Sequence, residues 1–195
     1  MNINEHNNKF TFLKKEIEDN FIDIADLYFG EKVKEIYENN HQVYMLVVFS
    51  VPLHLFSIIE GLAGLYSGKN KKHQVDKKDI VIFYERYFSK YHKNFEKDNF
   101  CDDFLKCFRH GLAHSWSPLT SISFNFKNRE ELFTDDINKM KGLNFICFYD
   151  IFKNVFSDYK KDLKSSKKLR NNFERRFKFL SSSYCSTANK FNNYF

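Results

Sequence analysis

A long segment without charged side chains constrains this chain more than any other feature. Residues Asn39–Ile59 contain no Asp, Glu, Lys or Arg, and Met45–Ile59 is almost continuously apolar. A membrane-spanning helix needs about 20 predominantly apolar residues. This segment begins with polar residues, contains a proline and a histidine, and is followed at once by Glu60. It therefore predicts the central buried helix of a bundle, over Val43–Tyr66, rather than a membrane span.

Turn-forming residues are scarce, because the 195 residues include 2 prolines and 6 glycines. Sandwiches and barrels need many turns, so helices are the expectation. Apolar residues recur at helical spacing in Phe10–Phe29, in Asp79–Tyr91 and in a segment from Asp98 to about His114. Thr120–Phe126 alternates as a strand does, and it could turn back into Glu130–Phe133 as a hairpin. We predict an all-α bundle of about five to seven helices with a small β-strand or hairpin after the helix that ends near His114.

The C-terminal part of the chain predicts two further helices. Thr134 followed by acidic residues is typical of a helix N-cap, and this helix would run to about Leu163. A last helix is expected over Ser165–Leu180, with a loose polar tail over residues 181–195. No linker divides the chain, so we expect a single helical domain over residues 1–195.

Cysteine usage and the N-terminal sequence indicate a cytoplasmic protein. The four cysteines lack paired spacing, and the polar first residues carry no secretory signal. Free thiols in a reducing compartment are therefore expected. These cysteines are Cys101, Cys107, Cys147 and Cys185.

The segment Phe108–Pro118, which reads FRHGLAHSWSP, has the clearest chemical potential. Arg109 and His114 are separated by four residues, and His110 directly follows the arginine. The segment resembles the motif of HEPN ribonucleases (higher eukaryotes and prokaryotes nucleotide-binding domain). In that family an Arg, four to six residues and a His lie near the end of a helix. The similarity extends over about Tyr44–Phe126, where an apolar helix and an aromatic segment precede the motif helix.

The resemblance implies a metal-independent endoribonuclease without a cofactor, of the kind found in bacterial toxin or antiviral defence systems. Arg109 would bind the phosphate and stabilise its developing charge, while His114 would exchange a proton. The 2′-hydroxyl of RNA would attack the adjacent phosphorus and leave a 2′,3′-cyclic phosphate. His110 and Glu60 would support these two residues.

The resemblance also implies a homodimer through the motif helix, with two copies of the motif meeting across the interface. A protein antitoxin is a further candidate partner, and no membrane partner is expected. The alternative is a non-catalytic HEPN-like dimerisation module that binds RNA, a nucleotide or a protein.

Other interpretations of the same segment stay open at the level of sequence. Basic residues at a helix C-terminus complement the helix dipole, so Arg109 and His114 could be structural. Cys107, His110 and His114 also have spacing that could bind a transition metal, with His92 or Asp102 as a further ligand.

Geometry adds a further expectation for Arg109 and His114. On an ideal α-helix, five residues turn by about 140°, so the two side chains do not share one face. The arginine must then reach round, or the helix must loosen at Gly111. Glu60, at the end of the apolar segment, could orient Arg109 or His114, or could simply lie at the surface. Trp116 could stack on a base or pack in a dimer interface.

Positive charge is concentrated in Lys160–Lys178. This segment has nine basic and two acidic residues, a net charge of +7, whereas the whole chain carries +6. Such a helix face attracts phosphates, although a merely solvated face would have the same composition. The residues predicted to bind nucleic acid are Lys167, Lys168, Arg170, Arg175 and Arg176.

Overall fold

The chain folds as a mostly helical bundle with a small β-sheet, as the sequence predicts. The computed structural model describes residues 14–28, 41–70, 75–112, 121–125, 127–135 and 141–192. Its α-helices are α1 (Asp23–Tyr28), α2 (His41–Ser67), α3 (Lys77–Phe83), α4 (Phe100–Phe104), α5 (Phe145–Ser165) and α6 (Lys167–Asn192). Wider π-helical segments precede α1 at Lys14–Ile22 and continue α3 and α4 at Tyr84–Phe88 and Leu105–His110. A short 3-10 helix spans Lys93–Glu96.

Helix α2 is the buried central helix that the uncharged segment predicts. Its residues from Leu55 to Leu65 include a series of almost completely buried side chains. The helix ends before Gly68, whose φ of +68° a residue with a Cβ adopts only at a steric cost. No helix in the described part of the chain is both long and apolar enough to cross a membrane.

Aromatic side chains fill the core between these helices. The Phe104 ring lies 5.0 to 6.0 Å from the rings of Phe56, Phe108 and Phe148, which come from three different segments. These phenylalanines are between 0% and 4% exposed. Burying a phenylalanine stabilises the fold by about 1.5–3 kcal/mol. The many phenylalanines seen in the core therefore stabilise packing between helices.

The β-sheet differs from the predicted hairpin. Strands β1 (Ile122–Ser123), β2 (Phe133–Asp135) and β3 (Lys141–Asn144) are arranged in the order β1-β3-β2. Strand β3 pairs parallel with β1 and antiparallel with β2, so β1 does not turn back onto the following segment. The expected N-cap at Thr134 is also wrong, because Thr134 pairs with Gly142 within the sheet.

Asn144 links the sheet to helix α5 and takes the N-cap position there. Its side chain is completely buried, and its amide donates to the carbonyls of Asn128 and Glu131 at 2.6 and 3.0 Å. Its Oδ1 accepts the backbone N–H of Asn125 at 3.3 Å. One buried amide thus holds the loop between β1 and β2, which places the start of α5 at Phe145 instead of near Thr134.

Helix α6 continues further than the sequence predicts. Its helical residues run to Asn192 rather than ending near Leu180, so residues 181–192 are helical instead of forming a tail. Serine hydroxyls bond to the helix backbone there. Ser181 and Ser182 each donate to the carbonyl four residues earlier at 2.9 Å. These local bonds satisfy the polar side chains that suggested a loose segment.

Candidate functional site around Arg109

Arg109 and His110 lie in the widened turn Leu105–His110 that continues helix α4. A π turn closes its hydrogen bonds over one more residue than an α turn, and such turns are frequent at functional sites. From the sequence, either the arginine reaches round the helix or the helix loosens at Gly111. Gly111 instead keeps right-handed helical angles, with φ −58° and ψ −49°, and the widening comes just before it. The extra residue alters the direction of Arg109 relative to the preceding turns.

Glu60 of helix α2 contacts Arg109. Arg109 Nη2 donates to Glu60 Oε2 at 3.0 Å, and Arg109 Nε forms an ion pair with Glu60 Oε1. The two side chains are 27% and 21% exposed. Glu60 thus holds one edge of the guanidinium. The sequence left open whether Glu60 orients a motif residue or lies at the surface, and the structure places it beside Arg109. Double contacts of this kind fix the orientation of a guanidinium.

A buried tyrosine lies behind the Arg109–Glu60 pair. Tyr84 is completely buried, and its hydroxyl has no hydrogen-bond partner among the described residues. Burial raises the pKa of Tyr84 well above its ordinary value, and the nearby Cys101 and Glu60 raise it further. Tyr84 is therefore a neutral phenol on the core side of Glu60. The sequence did not single it out, because an inward aromatic residue on a helix is indistinguishable from ordinary core.

The partner residues of the motif are only partly described. His110 is half-buried and next to Arg109. His114 and Trp116 lie outside the described residues, so their expected roles rest on the sequence alone. The structure thus brings Arg109 and Glu60 together, with His110 next to Arg109 in the same turn.

Metal binding by this segment has no further support from its surroundings. No group of three His, Cys, Asp or Glu side chains suited to a metal occurs among the described residues, which exclude His114. His92 Nδ1 accepts the backbone N–H of Asn94 at 3.3 Å. Asp102 forms ion pairs with Lys77 and with Lys106, the latter at 2.9 Å.

The thiol of Cys107 is also poorly disposed to bind a metal. Burial raises the pKa of the Cys107 thiol, and Asp103 raises it further. The thiolate is the metal-binding form, so a raised pKa disfavours coordination. Cys101, Cys107 and Cys147 carry free thiols.

The arginines of the basic segment contact main-chain carbonyls. Arg170 Nη1 donates to the carbonyls of Leu163 and Lys164, in the last turn of α5, at 3.2 and 2.6 Å. Arg175 Nε donates to the Gly68 carbonyl at 2.6 Å. Arg176 Nη1 donates to the Lys69 carbonyl at 2.9 Å, and Arg176 is only 3% exposed. These three predicted nucleic-acid ligands thus cap the ends of α5 and α2.

The lysines of the same segment face solvent. Lys167 and Lys168 are both exposed at the start of α6. Of the five residues predicted to bind nucleic acid, Arg175 is also exposed, but it already donates to the Gly68 carbonyl. The sequence could not separate the two lysines from the arginines, whose carbonyl partners lie up to 107 residues away.

Comparisons of the chain with protein-family models, with curated proteins and with solved structures found no match.

Proposed function

We propose that this protein is a metal-independent endoribonuclease whose site is built on Arg109 and His114. The observation that carries the proposal is the contact between Glu60 and Arg109 in a π-helical turn. That contact orients an arginine and leaves part of its guanidinium exposed.

The geometry of the guanidinium suits an oxyanion. A guanidinium has five N–H donors in a planar fork. Glu60 engages Nε and one side of Nη2, so the edge formed by Nη1 and Nη2 is the one directed away from the carboxylate. That edge can donate two parallel hydrogen bonds to a phosphate. Glu60 also offsets the charge of Arg109 in the absence of RNA, which limits the cost of desolvating it.

His114 is the proposed proton carrier. An imidazole exchanges a proton near neutral pH, and the 2′-hydroxyl of RNA supplies the nucleophile. The proton leaves the 2′-hydroxyl, the P–O5′ bond breaks, and the 5′-oxygen receives a proton. In a dimer the second proton-transfer group would come from the motif of a second copy, with His110 in a supporting role. We therefore propose a two-fold dimer through the motif helix.

RNA affinity would reside in a different part of the molecule. The exposed Lys167 and Lys168 would attract the backbone, whereas Arg109 would act on the scissile phosphate. Binding and cleavage should therefore respond to different substitutions.

The test compares His114→Ala with the unaltered protein on a panel of single-stranded and structured RNAs. General acid–base catalysis is typically worth about 10²–10⁴-fold, so cleavage should fall by that factor while affinity changes little. A 2′-deoxy nucleotide at the cleaved position should permit binding and prevent cleavage. Activity should persist in chelator.

Three outcomes contradict the proposal. If His114→Ala cleaves as well as the unaltered protein, the activity belongs to other residues or to a contaminant. If the unaltered protein binds the RNA panel and leaves it intact, the chain is a non-catalytic module. If light scattering shows a monomer at micromolar concentration, a site shared between two copies of the chain is excluded.

A further inference from the structure

A polar cavity lies at the elbow between helices α5 and α6, and Arg109 is not among its lining residues. Its other walls are the C-terminal end of α2 and the outer face of α3 with its π-helical continuation. The cavity, here called the elbow cleft, has a volume of about 600 Å³. Cavities of about 300–1,000 Å³ accommodate small ligands.

Charged residues of the elbow cleft are predominantly cationic. Lys69, Arg86 and Lys168 line it together with Asp79 and Asp162. Lys69 Nζ lies 2.8 Å from Asp79 Oδ1, and Arg86 Nη2 lies 3.8 Å from Asp162 Oδ2. Each acid therefore already faces a cation, and the exposed Lys168 gives the lining its excess positive charge.

Tyr66 and Tyr87 line the elbow cleft, and the Tyr159 ring packs against that of Tyr87. Tyr87 donates to Asp162 Oδ2 at 3.0 Å, and its ring lies 5.9 Å from that of Tyr66 and 5.8 Å from that of Tyr159. Tyr159 is completely buried, and its hydroxyl has no hydrogen-bond partner within the described part of the chain. Burial raises the pKa of Tyr159 well above its ordinary value, and the neighbouring Tyr87 and Tyr66 raise it further. Tyr87 therefore holds the Asp162 carboxylate at the cleft, whereas Tyr159 is packed in the core and does not line the cleft.

Part of the lining of the elbow cleft is apolar. Ile82 belongs to it and is 38% exposed, one of the few large apolar side chains that face solvent in the described residues. Leu169 and the half-buried Tyr66 ring complete this apolar part. Cationic side chains thus lie beside an exposed isoleucine and a tyrosine ring, an arrangement that suits a ligand with one anionic end and one apolar end.

We propose that the elbow cleft binds a phosphomonoester attached to a planar apolar group. Lys168 and Arg86 contact the phosphate, and Ile82 with Tyr66 contacts the planar group. The phosphomonoester is either a free small molecule or the 5′-phosphate of an RNA strand. Arg109 and His114 take no part in this site, so it does not depend on the proposed ribonuclease activity.

Calorimetric titration with phenyl phosphate and with inorganic phosphate tests this site. Phenyl phosphate should bind one per chain and more tightly than inorganic phosphate. Lys168→Ala should weaken phenyl phosphate binding by about tenfold, the loss expected for one charge-assisted hydrogen bond. The matched control is Lys167→Ala, which removes the same charge from the neighbouring exposed position outside the elbow cleft and should change the affinity by less than about twofold.

A second variant separates the apolar part of the lining from the charges. Ile82→Ser should abolish the preference for phenyl phosphate over inorganic phosphate, and should leave the affinity for inorganic phosphate unchanged. Ile82 is partly exposed, so this variant should fold.

The source of the phosphate is distinguished with one short RNA carrying either a 5′-phosphate or a 5′-hydroxyl. A gain in affinity from the 5′-phosphate that Lys168→Ala removes identifies an RNA end, and no such gain identifies a free small molecule. The site is refuted if phenyl phosphate does not saturate, or if Lys167→Ala and Lys168→Ala weaken its binding equally, since diffuse charge would then explain it.

Discussion

Arginine has different surroundings in two regions of this molecule. At the end of α2, Arg175 and Arg176 donate to the carbonyls of Gly68 and Lys69, and Arg176 is almost completely buried. At the end of the α4 segment, Arg109 pairs with the carboxylate of Glu60 and stays 27% exposed. The first arrangement uses the guanidinium to complete a helix end, and the second presents part of it to solvent. The number of basic residues in a segment therefore does not show how many can bind a ligand, because main-chain carbonyls can already accept their hydrogen bonds.

The largest effect is expected at the arginine-capped end of α2, from Gly68→Ala. The new Cβ would lie 2.7 Å from Asn172 Cα, and the φ of +68° would be strained. We expect a loss of about 3 kcal/mol in the free energy of unfolding, measured by urea denaturation. Gly61→Ala is the matched control. Its Cβ would meet nothing within 4 Å, so alanine should stabilise the same helix by about 0.5–1 kcal/mol. A loss below about 1 kcal/mol for Gly68→Ala would show that this end of α2 is not a rigid junction.

The next largest effect distinguishes Arg176 from Arg109. Arg176→Met leaves the Lys69 carbonyl without its donor and should lower the free energy of unfolding by about 2–3 kcal/mol. Arg109→Met should cost about 1 kcal/mol, since its pair with Glu60 is partly exposed. The effects on RNA cleavage should have the reverse order. Arg109→Met should lose cleavage activity, and folded Arg176→Met should keep it. Equal effects of the two variants on both properties would contradict the contrast between the two regions.

A double-mutant cycle on Glu60→Gln and Arg109→Met measures the pair itself. We expect a coupling energy of about 1 kcal/mol from thermal or urea unfolding. Glu60→Gln alone should also lower the cleavage rate by more than it lowers RNA affinity, because the arginine loses its orientation. If the coupling energy is zero and cleavage is unchanged, Glu60 has no positioning role.

The smallest effect on stability is expected from Lys167→Ala combined with Lys168→Ala. Both side chains are exposed, so the free energy of unfolding should stay within about 0.5 kcal/mol. RNA affinity should fall, and its salt dependence should flatten by a slope of up to about 0.7 per lost contact on a single strand. Lys93→Ala with Lys97→Ala removes the same charge from exposed positions outside the basic helix. Equal weakening of RNA binding in that control would assign the attraction to net charge alone.

Local patterns account for most of the fold that the sequence predicted. The uncharged segment and its apolar neighbours predicted α2, and spacing of apolar residues predicted the helix over α3. The strand order could not be predicted, because β1 and β3 are 19 residues apart at their starts and meet only through pairing. The beginning of α5 was missed for a related reason, since Asn144 is fixed by carbonyls of the preceding loop.

The sequence by itself determined the helical class, the central position of α2 and the presence of an Arg109–His114 motif. These follow from hydropathy and spacing, which act between neighbours along the chain. Only the tertiary structure decided that Glu60 holds Arg109, that Arg170, Arg175 and Arg176 cap helix ends, and that Lys168 lines a cavity. The physical reason is that hydrogen bonds and ion pairs form between atoms close in space. Composition cannot specify which carbonyl or carboxylate the folded backbone will bring to a given guanidinium.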